Sequence, residues 1–312
     1  MSRPSKSRQY LEYAPVAMAA SLLEYLPRPC ARLAGQGIAE GFYRLHRRLA
    51  RVGLRNLELA YPDQSPAWRE QALHGLYRHL GRQMAEFCRF PRYTAANLDA
   101  ICVTRGLEHY LEARERGRGV LILTAHLGGW EISSFAHSLR GFPLRFIVRP
   151  LDNQPLDRMV NRTRGLHGNQ PIDKRDFARG LLQAMAANQT VGILLDQNSY
   201  PPQGVFVPYF GHLACTAAGP ARIALRTGAA VVPGFTVWEA AERRYVLYFE
   251  PALPLLRAGD DEADVRANTA QYTAVIEAWV RRYPDQWLWI HRRWKARPPG
   301  EASLYANNQA KG

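Results

Sequence analysis

His126 and Glu131 stand five residues apart in the stretch 119–134, Gly-Val-Leu-Ile-Leu-Thr-Ala-His-Leu-Gly-Gly-Trp-Glu-Ile-Ser-Ser. A neutral imidazole can take a proton from a hydroxyl, and a neighbouring carboxylate can fix its tautomer and stabilise the imidazolium that forms. Five residues of continuous helix would place the two side chains about 140° apart. A continuous strand would put them on opposite faces. They can meet only across a bend, which Gly128 and Gly129 permit. Val120 to Leu123 reads as a buried strand, and the apolar spacing from Trp130 onward reads as a helix. Glu131 then falls in a first helical turn, where the macrodipole favours a carboxylate and free N–H groups can receive an oxyanion. There is no Gly-x-Ser-x-Gly elbow and no His-Glu-x-x-His. The chemistry that fits is direct attack of an acceptor hydroxyl on an acyl donor, with His126 as general base and Glu131 as its partner. The plainer alternative is a strand-end turn with both side chains solvated.

The elements that must position this pair follow from periodicity. Residues 1–9 read as a loose basic tail, 14–26 as a helix, and 34–52 as a second helix carrying Arg44, His46, Arg47, Arg48 and Arg51. Ser65-Pro66 starts a helix that runs to about residue 87–90. From residue 98 strands and helices alternate: strands at 98–103, 120–124, 144–148, 191–195, 205–209, 229–237 and 244–250, and helices at 107–116, 130–139, 155–166, 174–188, 216–227 and 262–283. The expectation is an α/β layered sheet flanked by helices, with residues 1–95 as an N-terminal helical, membrane-associating region, 96–301 as the catalytic domain and 302–312 as a flexible tail. Ligands of such sheets gather at the carboxyl ends of strands. Three predicted strands end there in polar groups, at His126, Arg149 and Asp196.

The chain has 312 residues, a net charge of +14 and 47% hydrophobic residues. That excludes global disorder and points to anionic partners: a lipid surface, a phosphorylated lipid, an acidic carrier protein or nucleic acid. Four cysteines without CxxC spacing fit a reducing compartment. No segment reaches the roughly 18 apolar residues of a spanning helix; residues 13–23 suit a helix lying in the membrane interface.

Five stretches in series resemble the late lipid A acyltransferases, the lauroyl and myristoyl transferases. His126-Leu127-Gly128-Gly129-Trp130-Glu131 resembles their His-x4-Asp/Glu box. Residues 51–62 (Arg-Val-Gly-Leu-Arg-Asn-Leu-Glu-Leu-Ala-Tyr-Pro) resemble the N-terminal signature, and Arg149-Pro150-Leu151 an Arg-Pro-Leu segment. Asp196-Gln197-Asn198 with residues 204–211 resembles an Asp-Gln block, and residues 287–301 the C-terminal signature. The resemblance implies the fold of the glycerol-phosphate acyltransferases and an O-acyltransferase at the cytoplasmic face of the inner membrane. It implies acyl carrier protein or coenzyme A as thioester co-substrate, no other cofactor, and a lipid A precursor as acceptor. Gly129 stands where the family commonly has Asn, and residues 13–23 are less apolar than the usual anchor.

Arg149 and Arg164 are candidates to hold anionic groups of the acceptor, since guanidinium forks suit phosphate and carboxylate oxygens. Asp196 and Gln197 are candidates to position the acceptor, and Asp196 also to close a hydrogen-bond network around His126. His126, Glu131 and Asp196 lack a fourth ligand, so no metal centre is expected. Trp287, His291 and Trp294 would share a helical face, suited to a membrane interface or to packing on the core. Acylation of another glycolipid or an aminolipid stays open. So does a basic peripheral membrane or nucleic-acid-binding protein without activity, although no helix-turn-helix, RRM, KH or zinc-finger pattern is present.

Overall fold

Residues 5–173 and 176–305 are described in the computed structural model of the protein. Four helices come first: α1 (Lys6–Tyr25), α2 (Arg28–Leu45), α3 (Arg47–Ala60) and α4 (Pro66–Cys88). The basic stretch at residues 1–9 is therefore helical from Lys6. Ser5 caps α1 by accepting from the Arg8 N–H, and the Arg8–Glu12 pair supports its first turns. The expected helix 34–52 is two helices that break at His46, leaving Arg44 on α2 and Arg47, Arg48 and Arg51 on α3. Ser65 caps α4 and Pro66 opens it, as the sequence indicates. Helices α2 and α4 cross at Gly35 and Gly81, where a Cβ on Gly35 would lie 2.3 Å from the Gly81 carbonyl oxygen.

The sheet then builds from β1 (Cys102–Arg105), β2 (Val120–Thr124), β3 (Arg145–Val148), β4 (Gln170–Asp173), β5 (Thr190–Leu194), β8 (Ala230–Glu239) and β9 (Arg244–Phe249). Their spatial order is β1-β9-β8-β2-β5-β3-β4. The five strands β8-β2-β5-β3-β4 run parallel; β9 is antiparallel to β8 and carries β1 at the edge. A separate hairpin pairs β6 (Gly204–Tyr209) with β7 (His212–Ala217). The remaining helices are α5 (Ala95–Leu98), α6 (Leu107–Glu115), α7 (Trp130–Leu139), α8 (Gln154–Arg164), α9 (Phe177–Ala186), α10 (Gly219–Thr227) and α11 (Asp261–Arg282). Of residues 98–103, expected as a strand, Leu98 ends the short helix α5 and only Cys102 and Val103 belong to β1, which starts four residues later.

Strand β2 is buried along its whole length, and alternation splits it between two cores. Leu121 and Leu123 join Val191, Ile193, Phe235, Ile276 and the buried tryptophans on one face. Val120 and Ile122 join Tyr110, Ile132, Phe135 and Leu247 on the other. The first cluster also takes in Leu57 of α3 and Leu73, Leu76 and Tyr77 of α4, so these helices share the core of the sheet. The C-terminal segment 287–294 is not a helix. It runs through turns with Trp287, Trp289, Arg293 and Trp294 fully buried, which rules out a membrane-facing aromatic face there. Tyr305 is buried too, donating its hydroxyl to Asn56 Oδ1 at 2.6 Å, so the expected flexible tail is packed at least that far; residues 306–312 lie outside the described residues. No helix among the described residues is long and apolar enough to cross a membrane.

Candidate active site at the carboxyl end of the sheet

The register of the two central strands builds the site. Val120 of β2 pairs with Thr190 of β5, and Thr124 with Leu194. Carried two residues past the ladder, the same register sets His126 opposite Asp196. The Leu195 N–H donating to the Thr124 carbonyl continues the pairing on the way. His126 and Asp196 meet twice. The His126 backbone N–H donates to Asp196 Oδ2 at 2.9 Å, and His126 Nδ1 lies 2.8 Å from Oδ1. An ionised carboxylate only accepts, so Nδ1 carries the hydrogen and Nε2 keeps its lone pair. Gln197 Nε2 lies 3.4 Å from that Nε2.

The electrostatics follow from burial and pairing. Burial opposes a charge on His126, but the Asp196 carboxylate and its hydrogen bond outweigh burial, and Glu131 adds to them through space. The imidazole pKa is therefore raised above its ordinary value. Burial likewise opposes the Asp196 charge. It is outweighed by His126 and by hydrogen bonds from the His126 ring, the Trp287 indole and the His126 amide, and the carboxyl is held below its usual range.

Glu131 lies where its spacing indicates, in the first turn of α7, but it does not orient His126. Its Oε2 accepts from Arg164 Nε at 2.9 Å, and its Oε1 forms a short bond with Arg164 Nη2. This bidentate pair ties α7 to the end of α8. The reason is positional: strand register fills His126 Nδ1 with Asp196, and the bend at Gly128-Gly129 delivers Glu131 to the helix next along. Arg164, a candidate for the acceptor, is thus engaged by Glu131. Its pKa is raised because the carboxylate outweighs burial. Arg149 is exposed just past β3 and has no ion pair among the described residues.

The bend is tightly held. Gly128 has φ +58°, and a Cβ there would lie 2.0 Å from the Thr236 carbonyl oxygen. The Gly128 N–H donates to the Gln286 carbonyl at 3.0 Å and the Gly129 N–H to the Thr236 carbonyl at 2.6 Å. A Cβ on Gly129 would lie 2.9 Å from ring carbons of buried Tyr245. The ring of Tyr245 fills the space that a side chain at residue 129 would need. Helix α7 has no side-chain cap at its N-terminus.

The surroundings come from segments that spacing alone does not connect. Asn56 in α3 donates to the Trp289 carbonyl at 2.5 Å and the His291 carbonyl at 2.7 Å. His291 Nε2 accepts from the Asn198 N–H at 3.0 Å, and burial pushes its pKa down to about 4, which keeps it neutral. Buried Arg293 donates to the Gln197 carbonyl at 3.3 Å and the Cys215 carbonyl at 2.9 Å. The N- and C-terminal signatures thus brace the loop that carries Asp196, Gln197 and Asn198. The spacing of Trp287, His291 and Trp294 predicts a shared helical face; the segment runs through turns instead, and of the two expected roles it takes the packing on the core. At the other end, Asn153 caps α8 by accepting from the Leu156 N–H and donates to the Gln9 carbonyl of α1 at 2.9 Å.

The profile of the family described as bacterial lipid A biosynthesis acyltransferase matches residues 2–296. Among curated proteins the chain is similar to the lipid A biosynthesis palmitoleoyltransferase of Escherichia coli K12, 27% identical over 281 residues and covering 90% of each chain. It is similar to the lauroyltransferase of the same strain, 27% identical over 285 residues and 91% of each. The myristoyltransferase of that strain is 25% identical over 264 residues, covering 84% of this chain and 80% of the relative.

Proposed function

The chain belongs to the bacterial lipid A biosynthesis acyltransferase family and is an acyltransferase; from that premise we propose that it moves a fatty acyl chain from an acyl thioester of acyl carrier protein to a hydroxyl of a lipid A precursor, with His126 as general base. The observation that carries the mechanism is the His126–Asp196 pair. Nδ1 is bound to a buried carboxylate at 2.8 Å, which leaves Nε2 as the basic atom.

In this reading Nε2 accepts the acceptor's hydroxyl proton as its oxygen attacks the thioester carbonyl. The imidazolium is stabilised by Asp196. The developing oxyanion is received by the uncapped first-turn amides of α7. Collapse breaks the carbon–sulfur bond, and the thiolate leaves with the proton from Nε2. Glu131 contributes negative potential at His126 and holds Arg164 in place. Arg149, exposed and without an ion pair among the described residues, is the first choice to hold an anionic group of the acceptor. The net charge of +14 suits an acidic carrier protein and an anionic lipid. Coenzyme A as donor, or another glycolipid as acceptor, would use the same site.

Membrane association is proposed through α1 and α2. Leu11, Met18, Leu22 and Tyr25 of α1 and Leu33, Ile38, Phe42 and Leu45 of α2 are exposed, and exposed Arg44, Arg47 and Arg48 cluster around the end of α2. Apolar faces beside arginines suit helices lying in an anionic lipid surface at the cytoplasmic face of the inner membrane.

The test is transfer of a labelled acyl group from its carrier-protein thioester to a lipid A precursor in detergent. His126→Ala should lower the rate by roughly 10²- to 10⁴-fold. A rate that His126→Ala leaves intact, or salt-dependent DNA binding in a protein with no transfer, would rule the reading out.

A further inference from the structure

Asp196 accepts more than the histidine. Its Oδ2 receives the His126 backbone N–H at 2.9 Å and the indole N–H of Trp287 at 2.7 Å, while Oδ1 faces His126 Nδ1. An indole N–H is a donor only, and once buried it needs one acceptor. Trp287 is wholly buried, and Asp196 is that acceptor. The ring cannot drift. It packs edge-on against Trp289 with centroids 4.5 Å apart and against Tyr209 at 5.6 Å. Its backbone is fastened to the loop that carries the histidine. Leu127 and Trp287 form an antiparallel bridge, the Leu288 N–H donates to the His126 carbonyl at 3.0 Å, and the Gln286 carbonyl accepts from Gly128. One short segment therefore holds the loop of the base and, by a single hydrogen bond, the partner of the base.

A carboxylate at the end of a strand can turn about its Cβ–Cγ bond. The His126 amide alone fixes Oδ2 loosely, since the carboxylate can pivot on it. A second donor from a rigid ring, arriving on the same oxygen, defines the plane of the carboxylate and so the direction of Oδ1. We propose that Trp287 is a positioning residue of the acyl transfer: its indole N–H holds Asp196 in the orientation that keeps the proton on His126 Nδ1 and the lone pair on Nε2. The inference rests on the reading of His126 as the base.

The experiment is a double-mutant cycle on the full-length protein in detergent, with kcat measured for transfer from labelled acyl carrier protein. Trp287→Phe keeps an aromatic ring and removes the donor. It should lower kcat by roughly 10- to 100-fold in the otherwise native chain, by analogy with the loss of a hydrogen-bond partner that orients a metal-ligating side chain. In the Asp196→Ala background the same change should cost less than about twofold, because the group it acts through is gone. An equal loss in both backgrounds would mean that the ring acts by packing alone and would overturn the proposal, as would no loss in the native background. His126→Ala is measured alongside; full activity there overturns the base assignment, and this inference with it, a result distinct from either Trp287 outcome. Should Trp287→Phe fail to fold, the indole resonances of the ¹⁵N-labelled native chain replace it. One of them should lie downfield and move upfield in Asp196→Ala; an indole spectrum unchanged by Asp196→Ala overturns the proposal.

Discussion

A base must be unprotonated to act, and this sets the pH behaviour of the site. The pKa of His126 is raised, so kcat/KM should climb with pH through a midpoint above the ordinary histidine value of about 6.5. Asp196→Asn removes the main group that raises it. The midpoint should then fall, and the plateau should drop by roughly 10²- to 10⁴-fold as the tautomer is lost. Glu131→Gln should lower the midpoint by less, since Glu131 acts on His126 only through space and is bound to Arg164. A pH–rate profile from about pH 5 to 9 on the three proteins checks the order; a larger shift from Glu131→Gln than from Asp196→Asn would mean that the carboxylates exchange roles during turnover. At this scale the expected hydrogen bond between Asp196 and His126 forms, while Glu131, the partner that local spacing suggests, is bound to Arg164 instead. Glu131 is near His126 along the chain, and a local motif can only suggest local partners. Asp196 is 70 residues away and reaches His126 through strand register, which spacing within one segment does not encode. That Asp196 ends an apolar strand was visible; that its strand is the neighbour of β2 was not.

Elements with one strong signal were legible, and elements that depend on a partner were not. The apolar runs of β2 and β5, the alternation in β9 and the Ser65-Pro66 start of α4 all appear within a residue or two of their places. The edge strand β4 escaped, because Gln170-Pro171-Ile172-Asp173 buries only Ile172 and, among the described residues, pairs with no strand but β3. Strand β7 escaped because only its ladder with β6 makes it a strand. The break at His46 has no proline or glycine to announce it. The turn from β2 into α7 is the element on which the site depends most, and it is built against β8. Gly128→Ala would force a side chain into a left-handed backbone and against the Thr236 carbonyl. It should destabilise the protein by about 3 kcal/mol, seen as a lower midpoint in thermal or denaturant unfolding. An unchanged midpoint would show that the turn can relax away from β8, and the rigid seating of His126 would no longer follow.

At the scale of the whole molecule, charge and apolar surface are unevenly placed. Most of the exposed large apolar side chains lie on α1 and α2, the helices that precede the sheet. Leu11, Pro15, Met18 and Leu22 recur at helical spacing and form one outward stripe on α1. The inward side of the same helix is fastened to α8, where Gln9 accepts from the Gln154 N–H at 3.0 Å and from Asn153. A surface that takes up this stripe would therefore lie beside the segment carrying Arg149, the residue proposed to meet the acceptor. Flotation with lipid vesicles tests the arrangement. The protein should float with vesicles rich in phosphatidylglycerol and much less with phosphatidylcholine alone, and high salt should weaken the first binding as the arginines are screened. Replacing Leu11, Met18 and Leu22 together by Gln should weaken flotation at least about tenfold, because each removes an apolar side chain from the lipid phase. The folded core should be untouched, since all three are exposed. If the triple variant floats as well as the native protein, α1 does not enter the surface; if flotation ignores both salt and headgroup charge, the arginines take no part in it.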